Sequence, residues 1–418
     1  MKVLVIGGGA REHALTRSLS MDREVTDLHA APGNPGISHY AALHPCDLTV
    51  PNEIADLAAR LRVDLVVIGP ELPLVAGAAD AVRARGIACF GPSALAARIE
   101  GSKAFAKEIM SAAGVPSARS RTCHSLGEVG SALDEFGAPF VVKDDGLAAG
   151  KGVVVTTDRE AALAHAAGCR SVVVEEFLEG PEISLFGISD GSRVLALEPA
   201  QDFKRAGDGD TGLNTGGMGA YSPLPWAPTD LVERVRSEIL QPTIDEMRRR
   251  DTPFVGLLYA GLVLTLKGLK VIEFNARFGD PETQVCLARL RTPLAGLLYR
   301  AATGSLEEQS PLEFTSECAV TVVIAAAGYP GEIRIGDEIS GIERADDLGV
   351  VVFQAGTKNE NGRLVSAGGR VLSVTAVGAN LTVARDLAYQ GVDAIDLAGS
   401  IHRRDIALAA ANDSISKG

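Results

Sequence analysis

Four apolar runs in the first hundred residues restrict what this chain can become. They are Val3–Ile6, Val25–Ala30, Val63–Ile68 and Ile87–Phe90. Helical stretches separate them: Ala10–Ser20, Glu53–Leu61 with Asn52 as the expected N-cap, and one running through Ala84. Strands alternating with helices at this spacing imply an open parallel sheet, and ligands bind such sheets beyond the carboxyl ends of the strands. Three turns fall on that edge: Gly7–Gly9, Gly33–Asn34 and Gly69–Glu71.

The first turn is not a dinucleotide fingerprint. Gly7 and Gly9 fit its first two glycines, but Glu12 stands at the third, and Asp27 comes too early in the second strand to reach a ribose. Arg11, Glu12 and His13 open the helix instead. Backbone N–H groups there, with an arginine, suit a phosphate monoester. Solvated charges at a helix start are the plain alternative.

Lys143 to Gly152 reads Lys-Asp-Asp-Gly-Leu-Ala-Ala-Gly-Lys-Gly, between the apolar runs Pro139–Val142 and Val153–Val155. Glycines 146, 150 and 152 let backbone approach an anion closely. Lys143 supplies a fixed charge at the strand end and Lys151 a second one on the loop. This is a phosphate-binding hairpin and not a Walker loop, because Gly152 replaces the Mg²⁺-binding hydroxyl and a strand follows. A flexible hairpin with solvated lysines is the competing reading.

Farther along, Ser102 is a plausible N-cap for a helix over Ala104–Ala112. Glu175 to Gly180 follows a strand, so its backbone can meet a purine edge while Glu182 takes ribose hydroxyls. Gln201 to Pro223 holds six glycines between 207 and 219 and reads as a long functional loop without regular structure. A helix over Leu231–Arg248 is expected next. In the strand Lys270–Asn275, Glu273 and Asn275 share a face. Two hard oxygen donors there suit Mg²⁺, which keeps waters and phosphate oxygens as its other ligands. Arg277 lies within reach of the same place. From about Glu313 the chain reads as a small α+β domain with no chemical constellation of its own, expected to pack against the others and help shape the substrate site.

A formal charge of −13 argues against nucleic acid as partner. The six cysteines have neither metal-ligand nor Cys-x-x-Cys spacing, which suits reduced thiols in the cytoplasm. No apolar run reaches membrane-spanning length, and the N-terminal run is too short for a signal peptide.

With these residues assembled, the chain resembles the phosphoribosylamine–glycine ligase (glycinamide ribonucleotide synthetase) family of ATP-grasp enzymes. The likeness runs end to end, through Gly9–Leu15, Ala31–Asn34, Gly69–Leu74, Glu100–Phe105, Asp145–Val153, Asp210–Pro223 and Val271–Gln284. It implies a multidomain α/β and α+β fold: an N-terminal open parallel sheet domain (1–100), a two-part ATP-grasp core (101–312) with a mobile lid near 122–185, and a C-terminal α+β domain (313–418). It implies ATP as co-substrate with Mg²⁺ or Mn²⁺, and glycine and 5-phosphoribosylamine as the other small-molecule partners, in a monomer or weak homodimer. Lys103, Lys143, Lys151, Gly150 and Gly152 would hold the phosphates. Glu175, Phe177 and Leu178 would form the adenine hinge, Glu182 the ribose ligand, and Glu273 and Asn275 the metal ligands. Arg277, Lys143 and Asp210 would be catalytic. Substrate contacts would come from Gly9, Arg11, Glu12, Gly33, Asn34, Glu71, Asp210, Thr215, Gly216, Arg277 and Asp280. A carboxylase or other ligase of the same fold, a nucleotide sensor, and a nicotinamide-dependent oxidoreductase are the alternatives.

Overall fold

A computed structural model describes residues 1–147 and 152–413. The first hundred residues form the expected parallel sheet, in the order Ala42–Leu43, Asp27–Pro32, Lys2–Gly7, Leu65–Ile68, Ala88–Phe90. Its central strand is buried from Val3 to Ile6, because helices cover both faces. Helix Ala10–Ser20 has the expected bounds. Asn52 is not an N-cap: helix Pro51–Leu61 starts one residue before it, with proline in the first turn and Val50 at the cap. Proline at that position has no N–H to satisfy, so the helix begins without a capping side chain. The stretch through Ala84 is two helices, Glu71–Ala76 and Ala78–Arg83, divided at Gly77.

Ser102 caps helix Lys103–Ala112 by accepting from the Phe105 N–H. Beyond it comes a four-stranded antiparallel sheet, ordered Ser120–Cys123, Val172–Glu175, Phe140–Asp144, Val153–Thr156. Helices Leu126–Phe136 and Arg159–Ala167 pack on it. This unit has a small core of its own, including Val129, Leu133, Val142, Ala162 and Val174. A much larger core runs from Leu4 through Ile183 and Leu258 to Val322 and Val374. The described part of the 120–175 unit therefore has an apolar core separate from the larger one.

The second half of the core is an antiparallel sheet ordered Val194–Ala196, Glu182–Asp190, Val255–Thr265, Gly268–Asn275. The helix expected over Leu231–Arg248 is present over Leu231–Arg249, and it widens to a π-helical stretch at Arg236–Leu240 between Leu231–Val235 and Gln241–Arg249. Pro242 lacks the N–H that a regular helix needs there.

The glycine-rich segment 201–223 is not structureless. Gln201–Asp202 pairs with Gly219–Ser222, and Arg205–Gly207 pairs with Thr211–Asn214. Gly219–Ser222 in turn pairs with Cys318–Ala325, so the C-terminal sheet runs Gln201–Asp202, Gly219–Ser222, Cys318–Ala325, Arg370–Gly378, Val351–Gln354. That sheet crosses the position expected for the last domain boundary. Composition foretold a loop, but pairing within the segment and, for Gly219–Ser222, with the distant strand Cys318–Ala325 supplies the missing hydrogen bonds.

Candidate active site

Three lysines from separate elements act on one carboxylate. Glu273 and Asn275 lie on one face of Gly268–Asn275, as alternation requires, and Asn275 hydrogen-bonds the Glu273 carboxylate. Burial would raise the Glu273 pKa, but Lys204, Lys143 and Lys103 more than offset it, so the carboxylate stays ionised below its usual range. Lys143, at the end of Phe140–Asp144, is 2% exposed. Its Nζ is 3.0 Å from Glu175 Oε2 and donates to the Ile272 carbonyl at 2.9 Å. Lys107, one helical turn beyond Lys103, takes the other Glu175 oxygen at 3.1 Å. Glu175 is thus an interior strut between two cations, and it is the backbone after it that can form a hinge.

Lys103 donates to the carbonyls of Asp144 at 2.8 Å and Gly146 at 3.0 Å. Burial lowers its pKa, with Lys143 adding to the effect. Asp145 accepts from Ser102 Oγ and the Ala104 N–H, so the hairpin is bolted to the start of the Lys103 helix. Gly152 is buried and its carbonyl accepts from the Asp144 N–H at 2.7 Å. Gly150 and Lys151 lie outside the described residues. Beyond Glu175, Glu176 binds Arg119 and Lys270, while Phe177 is 45% exposed and Leu178 half-buried. Glu182, at the start of the neighbouring strand, holds Lys204 at 2.9 Å.

A second cluster joins the N-terminal domain to the loop after Asn275. Arg277 lies 3.4 Å from Glu71 and 3.4 Å from Glu100, and Glu100 also accepts from the Ala276 N–H. Burial pushes Glu100 up, whereas Arg277 and Arg11 overcome burial at Glu71 and hold it low. Arg11 and Arg277 both donate to the Phe278 carbonyl. Arg277 Nε is buried without a hydrogen-bond partner, as are Asp202 Oδ1 and Gln284 Oε1.

Several residues expected at the substrate edge are engaged within the protein. Glu12 accepts from the Gly9 N–H at 2.7 Å and from Arg11 at 2.5 Å, completing a capping box. Asn34 donates to the carbonyls of Gly8 and Gln354 and accepts from the Ile37 N–H. A Cβ on Gly8 would sit 2.6 Å from the Gly33 carbonyl, so these two loops meet through bare backbone. His13 accepts from the Gln354 N–H, and burial lowers its pKa to about 3, leaving it neutral. Thr215 donates to the Lys204 carbonyl, and the Gly216 N–H donates to Tyr329 Oη. Asp210 is exposed, and its carboxylate is held by Arg403 at 2.7 Å, on the C-terminal segment. Its ion-pair partner is therefore not a member of the lysine cluster.

Asp280 accepts from Gln284 and from Arg370 of the C-terminal sheet. The C-terminal domain packs against the loops expected at the substrate edge: Arg370 donates to the Asp280 carbonyl, Tyr329 accepts from the Gly216 N–H and the Gln354 carbonyl accepts from Asn34. Nothing in their local sequence marks them. Lys107 could have been found from its i+4 spacing to Lys103, and Lys204 from its alternation with Asp202.

Comparison with known proteins follows the same layout. The chain matches family models described as phosphoribosylglycinamide synthetase N domain over residues 1–100, ATP-grasp (A) domain over 101–283 and C domain over 319–409. It is 64% identical to the phosphoribosylamine–glycine ligase of Streptomyces coelicolor, over 98% of this chain and 100% of that one. It is 52% identical to that of Mycobacterium tuberculosis over the full length of both. The crystal structure of phosphoribosylamine–glycine ligase from Thermotoga maritima superposes with a TM-score of 0.85 at 30% identity, covering 97% of this chain and 100% of that one. The biotin carboxylase domain of Hydrogenobacter thermophilus 2-oxoglutarate carboxylase, solved with MgADP, gives 0.74 at 17% identity over 96% and 91%, a likeness of fold alone. The chain belongs to the phosphoribosylamine–glycine ligase family of ATP-grasp enzymes.

Proposed function

We propose that this enzyme joins glycine to 5-phosphoribosylamine at the expense of ATP, making glycinamide ribonucleotide, ADP and phosphate in purine biosynthesis. The observation that carries the reading is the convergence of Lys103, Lys143 and Lys204 on the ionised Glu273–Asn275 pair. Polyphosphate needs clustered cations, and a divalent ion needs hard oxygen donors. Among the described residues no cluster of three or more His, Cys, Asp or Glu could hold a metal by itself. Two protein oxygens beside a phosphate-binding cluster fit Mg²⁺ or Mn²⁺ whose remaining ligands are phosphate oxygens and water. When bound, that ion would neutralise charge on the nucleotide's phosphates.

Glycine's carboxylate attacks the γ-phosphorus of ATP, the bond to the bridging oxygen breaks, and ADP leaves. The product is glycyl phosphate. The sugar-borne amine then attacks the acyl carbon, loses a proton and expels inorganic phosphate. A carboxylate does not yield an amide at useful rates without such activation. The side chains position reactants and offset charge, and none need act as a nucleophile. Lys103 and Lys143 stand where they can neutralise the transferring phosphoryl group, and Arg277 where it can meet an anionic substrate. The backbone after Glu175, with Phe177 and Leu178, serves as the adenine hinge. Gly9, Arg11, Gly33, Glu71, Thr215, Gly216 and Asp280 border the sugar-phosphate and glycine side. Lys151 and Gly150 complete the phosphate loop, and Asp210 acts from the rim.

Among the described residues no helix is long and apolar enough to cross a membrane. With six free cysteines and an acidic surface, the protein is proposed to work in the cytoplasm as a monomer or weak homodimer. The test is glycine labelled with ¹⁸O in its carboxylate. One labelled oxygen should appear in inorganic phosphate, only when phosphoribosylamine is also present at turnover. ADP release indifferent to glycine would overturn the reading.

A further inference from the structure

We infer that Asp202 receives the ammonium group of the amino-acid substrate. The inference rests on the proposed function and names a contact within it. Asp202 ends the short strand Gln201–Asp202, paired with Ala220. Its Oδ1 is buried and has no hydrogen-bond partner. A buried acceptor without a donor is unfavourable, and native proteins leave few of them unless a ligand or water fills the need.

The cations nearby are already engaged. Lys204 is paired with Glu182, and Arg370 with Asp280 and the Gly216 and Gly217 carbonyls. Glu282, which acts on Asp202 as a like charge, has one oxygen on the hydroxyls of Tyr259 and Ser184. Two neighbouring carboxyl groups with one oxygen unfilled make a place for a small cation bearing N–H donors. Gly217 lies directly over that oxygen: a Cβ there would be 2.7 Å from Asp202 Oδ1 and 2.4 Å from Pro281 Cδ. Only a residue without a side chain can pack this closely against the oxygen. Two substrate nitrogens compete for this role. The nitrogen that attacks the acyl carbon must be neutral, whereas the amino acid's own nitrogen is an ammonium at neutral pH. Burial, with Glu282 alongside, pushes the Asp202 carboxyl well above the usual carboxylate range, and an ammonium is the partner whose charge favours its ionised form.

The experiment titrates glycine, and separately glycolate, which keeps the carboxylate and lacks the nitrogen, into the full-length enzyme with a non-hydrolysable ATP analogue and Mg²⁺. In the unaltered protein glycolate should bind about tenfold or more weaker than glycine. In Asp202→Asn, glycine should lose about ten- to hundredfold in affinity while glycolate is unchanged. Equal binding of glycine and glycolate by the unaltered protein overturns the inference. So does an equal loss of both in the variant, which would make Asp202 structural. The unaltered-protein comparison stands even if the variant does not fold. A protein that releases no ADP with glycine present would instead refute the proposed function, whatever the titrations give.

Discussion

Arg370 Nη2 lies 3.1 Å from Asp280 Oδ2, and Arg370 Nη1 donates to the Asp280 carbonyl at 2.6 Å and to the Gly216 carbonyl. One guanidinium thereby ties the C-terminal sheet to two loops that border the site. Its fork geometry reaches several oxygens at once, which a lysine cannot do. Arg370→Ala should lower kcat/KM by about tenfold or more and destabilise the protein by about 2–3 kcal/mol, leaving Asp280 short of its charged partner. Arg370→Lys should recover only part of each. Steady-state kinetics with denaturant unfolding would check this, and unchanged turnover in the alanine variant would refute it.

Glu273→Gln keeps the shape of the donor and removes its charge. The three lysines then lose the carboxylate they share, although Lys143 keeps Glu175 and Lys204 keeps Glu182, and a metal held there would lose its anionic protein ligand. ADP release should fall by about a hundredfold, and the Mg²⁺ concentration for half-maximal rate should rise. Metal titration at fixed ATP gives the answer; near-normal turnover at ordinary Mg²⁺ would remove Glu273 from the metal site.

Gly217 has φ of +107°, a backbone conformation that an L side chain rarely adopts, and its space is filled by Pro281 and Asp202. Gly217→Ala should destabilise the protein by about 1–3 kcal/mol and displace the loop over Asp202. The expected kinetic result is a higher KM for glycine with that for ATP little changed. An equal rise in both would place the loop's effect elsewhere.

Glu176 gives a pH prediction. Burial raises its pKa, but hydrogen bonds from Lys270 and Arg119 overcome this and hold it at about 2, against 4.5 for a free glutamate. Its folded-state pKa is depressed, so its stabilisation is full above 4.5 and is lost as pH falls toward 2. Thermal unfolding of the unaltered protein should steepen over that window relative to Glu176→Gln. Parallel acid limbs for the two proteins would show that the pairing contributes nothing.

Much of the site was legible because its chemistry is local. Lys143 sits at the end of an apolar strand, and Glu273 and Asn275 alternate on one face of another. Those placements follow from a strand's two-residue period. Asp202, Lys204 and Arg370 were not legible for the converse reason. Their importance comes from neighbours such as Glu282, Glu182 and Asp280, which lie far off in the chain. Glu12 shows the opposite case: it looked available to a substrate, yet its carboxylate caps its own helix.

The sequence alone determined the parallel N-terminal sheet, the strand that ends in Lys143 and the strand that sets Glu273 and Asn275 on one face, since hydrophobic period and turn residues act over a few positions. Only the tertiary structure decided that Gln201–Asp202 and Gly219–Ser222 join the C-terminal sheet, and that Arg370 closes on Asp280. A glycine-rich segment has no strong local preference. Its conformation is set by whichever distant strand satisfies its backbone hydrogen bonds.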